Sequence, residues 1–191
     1  DMLARHPATA RHIAFKLVRR FVADVPPKPL VDRLAQVFAS TDGDLSAVIR
    51  AMVKSPEFWR REHFQARFKT PYRQVISSLR AAEVLPGDGR PALGILGQMG
   101  MPVYGWLTPD GYKDTEAAWL SPDAILRRID LANALAGAMK AGKQKSMPSA
   151  EERLREALRP GLSPRTLNAL SDAPEALRPA LVLGSPDFMR Y

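Results

Sequence analysis

Prolines stand directly after a serine or threonine at Ser55–Pro56, Thr70–Pro71, Ser121–Pro122 and Ser163–Pro164, and this pairing restricts the fold more than any other feature of the chain. A hydroxyl just ahead of a helix accepts one of the first unpaired backbone N–H groups. Proline at the next position loses nothing by lacking an N–H, and its φ is already helical. In the interior of a sheet the same proline would remove a ladder hydrogen bond. A chain punctuated in this way is expected to be a succession of short, separately started helices.

The apolar spacing between these starts agrees. After Pro7, the residues Ala10, Ile13, Ala14, Leu17, Val18 and Phe21 recur at helical intervals, and Ile13, Leu17 and Phe21 are expected to face the core. That helix should stop before Pro26–Pro27. A second begins near Pro29 with Leu30, Leu34, Val37 and Phe38. Asp44 is placed to cap a third, which carries Leu45, Val48, Ile49, Met52 and Val53. Thr70–Pro71 starts a helix with Val75, Ile76, Leu79 and Ala82. A short glycine-containing helix follows Pro91, and a long one runs from Ser121–Pro122 to about Lys140 with Ile125, Ile129, Ala132 and Leu135. Ser149 and Glu152 form a capping-box pattern, Ser163–Pro164 precedes Leu167 and Leu170, and Pro174 precedes Leu177, Leu181 and Val182. The expectation is an all-α, irregular array of six or more helices. Only Val103–Leu107 hints at a strand.

Residues 101–120 break the helical period. Pro102, Gly105, Pro109 and Gly111 are set among Tyr104, Trp106, Tyr112 and Trp119, which reads as a long, ordered, aromatic-rich loop. A connection of this length in a compact domain points to docking or function. Gly142–Ser146 is the best linker. The expected organisation is a main helical domain over residues 1–141 and a helical subdomain over 146–191 packed on it.

One segment is echoed. Val53–Lys54–Ser55–Pro56–Glu57–Phe58–Trp59–Arg60 resembles Leu183–Gly184–Ser185–Pro186–Asp187–Phe188–Met189–Arg190. The first reading is a repeated end-plug: an apolar helix, a capped turn, and a phenylalanine folded into the core. A duplicated ligand site is the alternative.

The residue types bound the chemistry. Without cysteine there is no disulfide, thiolate catalysis or cysteine-held metal. His6, His12 and His63 are the only histidines, and their spacing makes no metal-ligating motif, so capping or surface roles are expected. Asp42 and Asp44 flank Gly43 as a turn does, without the other ligands of a calcium loop. No apolar run is long enough for a membrane span. No catalytic residue, metal or cofactor is expected. Two groups stand out as surfaces. Tyr104, Trp106, Asp110, Tyr112, Asp114 and Trp119 could form a ligand or docking surface in the loop, with Trp106 and Trp119 favoured as plugs. Residues 1–80 hold fifteen basic side chains against seven acidic ones and so carry the whole net charge of +8. Within them Arg60, Arg61, Arg67, Lys69 and Arg73 form a candidate anion-binding cluster, interleaved with Phe64 and Phe68.

Several blocks, in order, resemble one family. LARHPATAR and KLVRRFVADVPP resemble the start of the C-terminal half of the bacterial domain-of-unknown-function family 1800. TDGDLSAVIRAMVKSPEFW, Lys69–Pro71 with SSLRA, LGQMGMPVYGWLTPDGY, WLSPDAILRR and the closing LVLGSPDFMRY resemble its later blocks. The resemblance implies a longer bacterial protein with a further helical N-terminal part as the first partner, a sulfatase-like protein as a second, and export to the periplasm or cell envelope. It brings no catalytic residue with it. Two departures lie in the loop: the family usually has a proline where this chain has Met101, and an asparagine-containing Lys-Gly-Trp-Pro stretch where this chain has Pro109–Tyr112. The functional expectation is a structural or interaction module. A fragment acting on polysaccharide and a nucleic-acid binder are the alternatives.

Overall fold

The computed structural model describes residues 2–84, 87–141 and 161–191. Among these the chain is all-α, with nine α-helices, two 3₁₀ turns, no strand, and one isolated antiparallel bridge between Phe68 and Arg190. The linker expected at Gly142–Ser146 and the Ser149–Glu152 capping box lie outside the described residues. The chain divides into two compact units, one ending at Arg67 and one running from Phe68 to Tyr191.

The first unit holds α1 (Pro7–Phe21), α2 (Lys28–Ser40) and α3 (Leu45–Val53). The expected starts are present: His6 Nδ1 accepts from Ala8 N–H at 3.1 Å, and Asp44 Oδ1 accepts from Ser46 and Ala47 N–H at 2.8 and 3.2 Å. The buried face of α1 differs from the expectation. Ala10, Ala14, Val18 and, just past the helix end, Val22 form the buried stripe, whereas Phe21 is 54% exposed and Ile13 and Leu17 are half-buried. The reason is packing distance. Small residues four apart let α1 lie close against Leu30, Val31 and Leu34 of α2, which pushes the larger aliphatics to the flanks. Val48 and Met52 of α3 complete this core.

The second unit holds α4 (Pro71–Ala81), α5 (Arg90–Gln98), α6 (Glu116–Trp119), α7 (Pro122–Ala141), α8 (Pro164–Asp172) and α9 (Arg178–Leu183). Thr70, Ser121 and Ser163 hydroxyls accept from Arg73, Ala124 and Thr166 N–H as their sequence context demands. Val75, Leu96, Leu131, Ala132, Leu135, Leu170, Val182, Leu183 and Phe188 share one core, so the C-terminal helices pack with α4, α5 and α7. The one-turn α6 lies in the stretch expected to be wholly irregular.

The echoed segments adopt the same turn, one in each unit. Ser55 Oγ donates to the Met52 carbonyl at 2.7 Å and accepts from Phe58 N–H at 3.3 Å. Ser185 Oγ donates to the Val182 carbonyl at 2.8 Å and accepts from Phe188 N–H at 3.1 Å. Phe58 packs against the first core and Phe188 lies within the second, as an end-plug requires.

Candidate functional site

The aromatic segment of the second unit is built from its own side chains. Pro102, Val103, Tyr104 and Gly105 make a turn in which the Pro102 carbonyl accepts from Gly105 N–H at 3.0 Å. Gly105 is required there, because a Cβ would lie 2.5 Å from Pro102 Cγ. The Tyr112 hydroxyl donates to the same Pro102 carbonyl at 2.6 Å and so staples the two ends of the turn region together. The Tyr112 ring meets Trp106 at 4.9 Å and Trp119 at 6.0 Å between centroids. Trp119 Nε1 donates to the Lys113 carbonyl at 2.7 Å. Glu116 then anchors the segment within its unit by a bidentate pair with Arg190.

Asp110 is the knot of this arrangement. It accepts from Trp106 Nε1 at 3.2 Å, from the Thr108 hydroxyl, and from Lys113 Nζ at 2.7 Å. Hydrogen bonds from Lys113 first, then Thr108 and Trp106, hold its carboxyl well below the usual carboxylate range. A carboxylate held ionised in this way fixes the loop and has no proton to give at neutral pH. Asp114 is half-buried nearby in the chain. Neither tryptophan enters the buried core. Trp106 is 42% exposed and Trp119 is half-buried, and they pack on Tyr112 in a small cluster of the loop's own.

What the cluster holds up is apolar. Tyr104 and Leu107 are fully exposed, and the neighbouring Val103 and Trp106 are partly exposed. Tyr104 also sits at φ +58°, in the left-handed region, which costs a bulky side chain on the order of 1–2 kcal/mol. Four large apolar side chains within five consecutive residues, 103–107, are therefore left exposed on a fastened backbone.

The basic residues are divided between the units. Arg60 and Arg61 are exposed in the first, while Arg67 is buried there and paired with Asp24. Lys69 is buried in the second, its Nζ 3.7 Å from the centroid of the Phe188 ring, and Arg73 stacks on Tyr191 at 4.1 Å. Sequence reasoning missed Arg128 of α7, the largest fully buried side chain among the described residues. It donates to Gln74 Oε1 at 3.1 Å and to the Lys69 carbonyl at 2.7 Å, and lies 4.4 Å over the Phe68 ring. Its signal was present in the sequence: Arg128 falls on the same helical stripe as Ile125, Ala132 and Leu135. Burial lowers Lys69 to about 8, helped by Arg128 and Arg73, and burial lowers Arg128 to about 10. Together these residues tie the start of α4 to the middle of α7.

Comparison with family models places the chain. The model of Protein of unknown function (DUF1800) matches residues 1–190. The chain is a DUF1800 protein. Comparison of this DUF1800 chain with curated proteins and with solved structures gives no match. Among the described residues of this DUF1800 protein, no helix is long and apolar enough to cross a membrane, and no group of three or more histidine, aspartate and glutamate side chains is placed to hold a metal ion.

Proposed function

We propose that this chain is an interaction module and that the segment from Met101 to Leu120 docks on a partner protein. The observation that carries the reading is the exposure of Tyr104 and Leu107, at 101% and 98%, on a loop whose base is tied by Tyr112, Asp110 and Trp119. Loops with no role rarely hold large apolar side chains entirely in water on a backbone that strains one of them. A loop already fixed loses little entropy when it binds. The aliphatic Leu107 and Val103 favour a protein surface over a sugar, whose faces stack on rings and whose hydroxyls seek polar partners. The further N-terminal part implied by the family resemblance and a sulfatase-like protein are the two partners that resemblance suggests.

The test is a photoreactive phenylalanine analogue in place of Tyr104, in the cell that makes the protein. Irradiation should give a discrete protein adduct, and Asp110→Ala, which unties the loop, should reduce it several-fold. No adduct, together with Tyr104-dependent binding on a glycan array, would replace this reading by the polysaccharide one.

A further inference from the structure

The first unit carries a groove that the loop reading does not use. Ala8, Arg11, His12 and Phe15 follow one another at positions i, i+3, i+4 and i+7 of α1 and so share one stripe, beside the stripe that faces the core. With Pro26, Lys28 and Val31 they line a groove of about 450 Å³. Small-molecule sites usually measure roughly 300–1,000 Å³, mostly apolar with a few polar groups that set orientation.

The lining divides by chemistry. Ala8, Phe15, Pro26 and Val31 are apolar, and Val31 is buried beneath as a floor. Arg11, His12 and Lys28 are the polar members, all basic, and no acidic residue lines the groove. The whole of α1, Pro7–Phe21, lacks an acid, while Arg19 stands 5.2 Å over the Phe15 ring. Asp32 of α2 pairs with the Arg11 guanidinium at 3.1 Å and offsets its charge, which leaves Lys28 as the principal cation of the groove. Lys28 opens α2, and Pro27 ahead of it supplies no side-chain acceptor for the first N–H groups. The positive end of that helix adds to the same sign of potential.

We propose that this groove binds a small carboxylic acid with an apolar tail. The tail lies along Phe15, Pro26 and Val31, and the carboxylate faces Lys28. The Lys28 ammonium and an apolar floor match such a ligand at both ends, whereas an apolar cation would be repelled by Lys28 and a short acid would leave the floor wet.

The test is calorimetric titration of the full chain with decanoate, and with butyrate and decyltrimethylammonium as controls. Decanoate should bind saturably at one site per chain, with affinity gained at about fourfold per methylene as the tail is lengthened from butyrate. Binding should weaken as salt rises. Lys28→Glu should weaken it at least tenfold and Lys28→Gln less. Ala8→Trp, which fills the groove from an exposed position, should abolish it, with circular dichroism showing that each variant keeps its helices. Non-saturable decanoate binding, equal affinity for decyltrimethylammonium, or parental affinity in folded Ala8→Trp would each overturn the proposal.

Discussion

The same eight-residue pattern closes both units, and the two closures differ in everything except the turn itself. In each, a serine after an apolar helix bonds one carbonyl behind and one N–H ahead. The acids then diverge. Glu57 takes a bidentate pair from Arg33 at 2.7 and 3.1 Å, whereas Asp187 receives Ser163 N–H and both the Ser163 and Thr166 hydroxyls at 2.6–2.8 Å. The residues after the phenylalanine diverge further. Trp59 is 71% exposed, with its ring edge-on to Phe58 at 5.2 Å between centroids and its Nε1 donating to the Val53 carbonyl at 2.7 Å. Met189 is buried, and its carbonyl accepts from Lys69 N–H at 2.8 Å. Arg60 pairs with Glu62 at the surface, while Arg190 bridges Phe68 and grips Glu116. Local hydrogen bonding makes the turn, and the surroundings decide how much of it is buried.

The largest difference should appear at the phenylalanines. Phe188→Ala, at a fully buried site, should cost the second unit about 3–5 kcal/mol, and Phe58→Ala, half-buried, about 1–3 kcal/mol. Hydrogen exchange resolved by segment measures each unit separately. Equal costs would show that the two plugs are energetically alike despite their burial.

The acids should rank next. Asp187→Ala strands three donors and should cost about 1–3 kcal/mol. Glu57→Gln should cost under about 1 kcal/mol, because Arg33 is 45% exposed and water replaces its partner. Both carboxyls titrate low when folded. For Glu57 the Arg33 hydrogen bond is the main cause; for Asp187 burial pushes upward and the Thr166 and Ser163 bonds outweigh it. A lowered folded value means that their stabilisation is complete above about pH 4.5 and is lost on acidifying through the folded values. Acid titration of exchange rates should therefore weaken both units, and Asp187→Asn should flatten the response of the second alone.

Alkaline pH should separate the two units. Lys69 titrates at about 8 when folded and near about 10.4 when unfolded. Between those values the unfolded chain holds more protons, so the second unit should gain stability as pH rises from 8 to 10. Lys69→Met should remove that rise.

Smaller effects test the shared part. Ser55→Ala and Ser185→Ala should each cost about 1 kcal/mol and by similar amounts, since the turn bonds match. Trp59→Ala should change stability by less than about 0.5 kcal/mol. A larger loss at Trp59 would show that its indole bond to Val53 does more than its exposure implies.

Much of the fold was legible because caps are local. Asp44, Thr70, Ser121 and Ser163 each bond a residue two to three positions on, so the helix starts are written within a few residues of chain. The aromatic loop was legible as a unit for the same reason, its staples spanning ten residues or fewer. Its ring positions were not, because the rings chose each other over the core. Of the basic cluster, the sequence showed the charges and not their fates, since the partners of Arg67 and Lys69 lie far along the chain.

By itself the sequence determined that the chain is helical, where most helices begin, and that two turns repeat, because these depend on contacts within one turn of backbone. Tertiary structure decided which side of α1 is buried, which echoed acid binds an arginine and which binds hydroxyls, and that Arg128 lies inside. Those outcomes depend on neighbours 21 to 59 residues away for Glu57, Asp187 and Arg128, and on the close approach that Ala10 and Ala14 permit. A helix's apolar stripe is wider than the part a neighbour can cover, so spacing alone cannot say which half of it meets water.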